Sequence, residues 1–146
     1  MAALSDYLEN KLIDRIFRGQ SYTFPTNLYF GLLTAAPSDS GGGTEVSGGS
    51  YARVSVAASM ANFAGTQAAG STTASSGTSG ETSNNVNITF PSPTGNWGVI
   101  SYVGVYDAST SGNLLVWGAL TTPKTVNSGD APPVFEPEAF TFTLDN

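Results

Sequence analysis

From Asn87 to Leu120 the chain reads NITFPSPTGNWGVISYVGVYDASTSGNLLVWGAL, a stretch that accommodates antiparallel strands and turns and little else. Val86, Ile88 and Phe90 alternate with polar residues, the two-residue period of a half-buried strand. Pro91 and Pro93 end it, because proline has no N–H to give to a ladder. Val99 to Asp107 predicts a second strand, with Val99, Val103 and Val105 on one side and Ile100, Tyr102 and Tyr106 on the other. Asp107 to Gly112 (DASTSG) is turn chemistry. Asn113 to Leu120 predicts the returning strand, with Leu114, Val116 and Leu120 opposite Leu115, Trp117 and Ala119; Thr122-Pro123 is expected to break it. Both long strands are apolar on both faces, so both faces are expected to be covered by core or by an interface.

One helix is expected, within residues 1–19. Ser5 or Asp6 can cap it, Glu9 completes a capping-box pattern with Asp6, and Gly19 supplies the stop. Leu4, Leu8, Leu12 and Ile16 recur at i+4, and Tyr7, Ile13 and Phe17 widen the stripe. Such a stripe covers its own domain or docks on a neighbouring subunit; Leu8, Leu12 and Ile16 are the candidate contacts. Asn27 to Thr34 and Ala139 to Leu144 predict further strands. In Tyr51 to Ala57 the alternation puts Ala52, Val54 and Val56 inward and Arg53 outward. Weaker strand signals lie near Tyr22, at Lys124 to Val126 and at Val134. Two Gly/Ser-rich segments, 35–49 and 65–85, are expected as long loops, the second with too little apolar content to join a core. The chain of 146 residues is thus expected to form a single domain, 1–146: mainly β, a β-sandwich of jelly-roll type with an N-terminal helix.

The composition narrows the chemistry. There is no histidine and no cysteine, which removes the commonest general base, the commonest metal ligand and any disulfide. The net charge of −6 disfavours nucleic acid as a direct partner. Charged residues make up only 11% of the chain, against roughly 25% in an ordinary domain, which suits a protein packed among neighbours. The segment 35–49 fails as a phosphate loop, because no Gly-Lys-Ser/Thr closes it. A glycosidase needs two carboxylates facing each other; Asp107 and Asp130 lie in turns and Glu136 and Glu138 flank Pro137, and although any pair could meet in space, turn acids usually serve local hydrogen bonds. Neither Lys11 nor Lys124 sits in a serine–lysine motif, and Asp39, Ser40, Thr44 and Glu45 lack EF-hand spacing. The Asn87-Ile88-Thr89 sequon falls in a predicted strand. No catalytic, cofactor-binding or metal-binding residue is expected, and the chain is expected not to be an enzyme. Met1 to Phe17 has no uninterrupted apolar core and no run of 18 apolar residues occurs, so neither Sec export nor a membrane span is expected.

The remaining candidates are contact residues. Arg53 is the only basic residue between Arg18 and Lys124 and suits either a solvated face or a carboxylate across a subunit boundary. Tyr102, Tyr106 and Trp117 combine apolar area with a polar tip and fit core or interface equally.

Three blocks carry a resemblance: LSDYLENKLIDRIFRG, LYFGLLTAAPSDSGGGTEVSGGSYARV, and NITFPSPTGNWGVISYVGVYDASTSGNLLVWGALTTPKTVNSGDAP. Together they resemble a family of small virion proteins of tailed bacteriophages, often labelled as tail-fibre proteins, and they are also similar to capsid cement (decoration) proteins. The resemblance implies a structural protein without catalytic residues, synthesised in the host cytoplasm and assembled into the virion. It points first to a cement protein on the capsid exterior whose partners are the major capsid protein and further copies of itself, as a homo-oligomeric dimer or trimer. The alternative it implies is a tail-associated or fibre-like protein that contacts the host surface.

Overall fold

The computed structural model describes residues 2–144. It is mainly antiparallel β with one short helix. The strands are β1 (Ala2–Leu4), β2 (Asn27–Ala35), β3 (Thr44–Glu45), β4 (Val54–Ala57), β5 (Glu81–Ser83), β6 (Ile88–Thr89), β7 (Gly98–Tyr106), β8 (Leu114–Val126), β9 (Val134–Phe135) and β10 (Thr141–Thr143); helix α1 spans Asp6–Phe17. Six strands form one sheet in the order β1-β8-β7-β2-β3, with β4 pairing alongside β3 on the same edge of β2. Two ribbons, β5 with β10 and β6 with β9, lie over one face of that sheet. Phe30, Leu32, Val103 and Val105 from the sheet meet Ile88, Phe90 and Phe140 from the ribbon layer, and all are buried. The Phe30 and Phe140 rings stand edge to face at 5.0 Å.

The alternation of β7 and β8 is interrupted twice, and each interruption changes which residues face the core. Between Ile100 and Tyr102 two steps along β7 correspond to five along β8, from Lys124 to Ala119. That slip turns Ile100 inward to 2% exposure and leaves Val99 51% exposed, reversing the sides assigned by strict alternation. The extra residues on β8 include Pro123, so the strand runs on to Val126 instead of ending at Thr122-Pro123: proline sits where the ladder is already broken. A second irregularity separates the Val105–Val116 pair from the Tyr106–Leu114 pair, leaving Leu115 unpaired. Leu114 therefore shares the outer face with Tyr106, not the inner face with Val116.

Helix α1 follows its sequence signals. Ser5 is the N-cap, its hydroxyl accepting from Leu8 N, and Arg18 closes the helix before Gly19 at φ 67°. The Ser5 hydroxyl also donates to Leu114 O, and Ser5 N donates to Leu115 O at 2.9 Å, which ties the helix start to β8. Arg18 and Asp14 pair at 3.2 Å on the outer side.

Two further expectations are corrected, at 51–57 and at Tyr22, and the two long loops gain detail. Segment 35–49 contains β3 and the buried Val46, whose N–H donates to Leu32 O. Segment 65–85 is ordered by its own polar groups. Gly77 N donates to Thr66 Oγ1 at 3.0 Å, Ser79 Oγ donates to Thr66 O at 2.7 Å, and the segment ends in β5 and the buried Ser83 and Asn84. Low apolar content does not prevent order when hydroxyls and amides close a loop on itself. In the 51–57 stretch the strand is only Val54–Ala57, Ala52 is exposed, and the Arg53 side chain is only 8% exposed. No strand forms at Tyr22, whose ring packs edge to face on Phe24 at 4.8 Å and on Tyr7 at 6.4 Å.

Candidate interaction surfaces

The seven residues singled out by the sequence do not form one patch; they divide among three places. The first is a polar clamp on the outer face of the main sheet. Gly31 and Gly104 face each other across the β2–β7 ladder, and their missing side chains leave a trough for the Tyr106 ring. A Cβ at Gly104 would lie 2.9 Å from that ring and 3.0 Å from Leu114 Cδ1. The Arg53 guanidinium lies over the ring, 3.4 Å from its centre. Its Nε and one terminal nitrogen grip both Glu45 oxygens at 2.8 and 2.7 Å, a bidentate fork. The other terminal nitrogen donates to Ala108 O at 2.8 Å and Ser111 O at 2.7 Å, fastening the β7–β8 turn. The carboxylate that Arg53 meets is thus on its own chain.

Glu45 and Tyr51 complete the clamp. Tyr51 Oη donates to Glu45 Oε1 and accepts from Leu32 N, each at 2.8 Å, and so satisfies an edge N–H of β2 between the stretches paired with β3 and β4. Burial, together with the neighbouring Glu45 carboxylate, holds the Tyr51 phenol far above its ordinary value near 10. Burial also raises Tyr106, and burial followed by the nearby Tyr7 raises Tyr22. A phenol whose folded pKa exceeds its unfolded one binds its proton longer in the folded state. The stability linked to these three tyrosines is therefore complete below pH 10 and declines as pH climbs above it. Urea midpoints measured across that range are expected to fall, with a shallower fall in Tyr51→Phe. Gly104→Ala is expected to cost about 1–3 kcal/mol by crowding Tyr106 and Leu114, read as a lower thermal midpoint.

The second place is the pair Tyr102 and Trp117, also on the outer sheet face. Their rings meet at 6.3 Å and 60°, and both side chains are half-buried. The Trp117 indole N–H is shielded from solvent and meets no acceptor among the described residues.

The third place lies at the helix. Leu8 packs on the core, and Leu12 is half-buried. Both line an open cleft of about 340 Å³ between α1 and the β5–β10 ribbon, whose other walls include Leu28, Phe63, Phe142 and Leu144. Ile16 points away from the core and is 67% exposed. Ile13 and Phe17, which the sequence shows as apolar but not as outward, are 51% and 80% exposed. Glu45 and Tyr51 are the contributors that sequence reasoning missed; their signal was the spacing of Glu45, Tyr51 and Arg53 around Gly48-Gly49.

No group of three or more potential metal-ligating side chains gathers among the described residues, and no described helix is long and apolar enough to cross a membrane. The fold is mainly antiparallel β, with one partly buried ion pair, Arg53 with Glu45, on its outer sheet face and apolar contact area left at a helix tip and a cleft. The family model described as Podophage GP4 fiber I protein gp80 matches residues 3–143, and the chain belongs to that family of phage virion proteins. No curated protein matches the chain.

Proposed function

We propose that this chain is a structural subunit of the phage tail-fibre apparatus, acting by binding and by no chemical step, with copies of itself and neighbouring fibre proteins as partners. The observation that carries this reading is the match to a fibre-protein family over nearly the whole chain. The apolar helix tip, the cleft and the Tyr102–Trp117 pair supply contact surface of the kind an assembled subunit needs. The competing reading is a capsid cement protein of jelly-roll connectivity, clamping the major capsid protein on the head exterior. A ligand bound only to the assembled shell would stabilise that shell by mass action.

Particles lacking the protein separate the two. The fibre reading predicts that such particles release DNA at the same temperature as complete ones but adsorb poorly to host cells. Release at a clearly lower temperature with normal adsorption would reverse the assignment in favour of cement.

A further inference from the structure

Strand β1 and helix α1 form an arm, residues 2–18, that holds to the β body by few groups. None of the twelve helix residues is buried. Leu4 and Leu8 pack on the core only in part, and with Leu12 they face an open cleft of about 340 Å³ instead of a filled interface. An unfilled apolar gap forfeits the close contacts that would fix the helix in place. The polar attachments gather at one end of the arm. They are three ladder pairs, Ala2–Gly118, Ala3–Trp117 and Leu4–Val116, the bonds from Ser5 to Leu114 O and Leu115 O, and Asp6 N to Asp39 O at 2.8 Å. The chain leaves the arm through Ser21 to Thr26, which contain no helix or strand. Six residues of that kind extend to about 20 Å. Thr26 O accepts from Ala58 N at 2.9 Å, which fixes the far end of the connection to the body.

Most of the receiving groups belong to β8. With the arm lifted, Leu114 O, Leu115 O and the edge of Val116–Gly118 lose their partners, and an unpaired strand edge takes up another strand. The segment that fits this edge residue for residue is β1 with its Ser5 cap, and every copy carries one. We propose that the arm lifts as a unit while the β body stays folded, and that it seats β1 and Ser5 on the β8 edge of a second copy in the register seen within one chain. This deepens the reading of the chain as a repeated structural subunit, on which it rests, by naming the element that joins copies. Reciprocal exchange of two arms closes as a two-fold dimer and needs no contact that the single chain lacks.

Hydrogen exchange read by mass spectrometry on the full wild-type chain tests the opening. Amides of α1 and those of the β1–β8 ladder are expected to exchange together, on the order of 100-fold faster than those paired between β2 and β7. An arm protected as strongly as β2 and β7 overturns the proposal. Because the chain has no cysteine, exchange between copies can be read directly. Ala3 and Trp117 are ladder partners, and a chain carrying one cysteine cannot link to itself. Ala3→Cys mixed with Trp117→Cys and oxidised is expected to give the dimer linked between positions 3 and 117 in excess of random pairing. A random mixture of linked dimers overturns the exchange. The first measurement uses the unaltered chain, so it stands whatever the variants do to folding. Neither measurement reads a place in the particle, so the arm can fail while the fibre reading stands, and the particle experiments test that reading alone.

Discussion

Asn84→Ala is expected to be the most damaging polar-to-alanine change in the chain, costing about 4 kcal/mol or more. Asn84 is fully buried and sits where the two ribbons of the upper layer meet. Its Oδ1 accepts from Phe140 N at 2.9 Å, while its Nδ2 donates to Val86 O at 2.9 Å and Glu136 O at 2.8 Å. Its own backbone adds Asn84 N to Phe140 O at 3.2 Å and Glu138 N to Asn84 O at 2.8 Å. Removing the amide strands three backbone groups of the upper layer, and each buried group left unpaired costs about 1–3 kcal/mol. Asn84→Asp should be as bad at neutral pH, since it sets a carboxylate against two carbonyl oxygens. Urea unfolding monitored by tryptophan fluorescence reads both. A loss within about 1 kcal/mol, the worth of one ordinary hydrogen bond, would show that the upper layer does not depend on this residue.

Arg53→Leu is expected to cost about 3 kcal/mol, because it leaves the partly buried Glu45 carboxylate without its cation and frees the β7–β8 turn. For a chain of this size that corresponds to a fall of roughly 6–12 °C in thermal midpoint. Arg53→Lys is expected to recover little, since an ammonium cannot hold both Glu45 oxygens and both turn carbonyls while lying flat on Tyr106. The double variant Glu45→Leu with Arg53→Leu should be milder than the sum of the two single changes, because the stranded charge is gone. Strict additivity in scanning calorimetry would mean that the two side chains do not act as a pair.

These two residues also mark the limit of what the sequence discloses. Local periodicity located α1, β2, β7 and most of β8, because apolar spacing and caps are written within a few residues of each other. It misjudged Val99, Ile100 and Leu114, because a slip in register is set by the partner strand and reverses every side downstream of it. Arg53 reads from the sequence as a solvated charge or a partner for a neighbouring subunit's carboxylate, because its actual carboxylate, ring and turn carbonyls come from β3, β7 and the β7–β8 turn of its own chain. Asn84 closes a segment of low apolar content, and its partners at Glu136 and Phe140 lie more than fifty residues further on. The helix tip was legible as apolar. Its outward direction was not, because the same i+4 stripe packs Leu8 against the core and leaves Ile16 exposed.

If this fold is a repeated structural element of the tail-fibre apparatus, it occupies that assembly in the intact particle. A cryo-electron microscopy map of the intact phage particle tests it most directly. The six-stranded sheet with its short helix is expected to fit density in the fibre assembly, in multiple copies. Density for the same fold on the capsid lattice, and none at the tail, would contradict it.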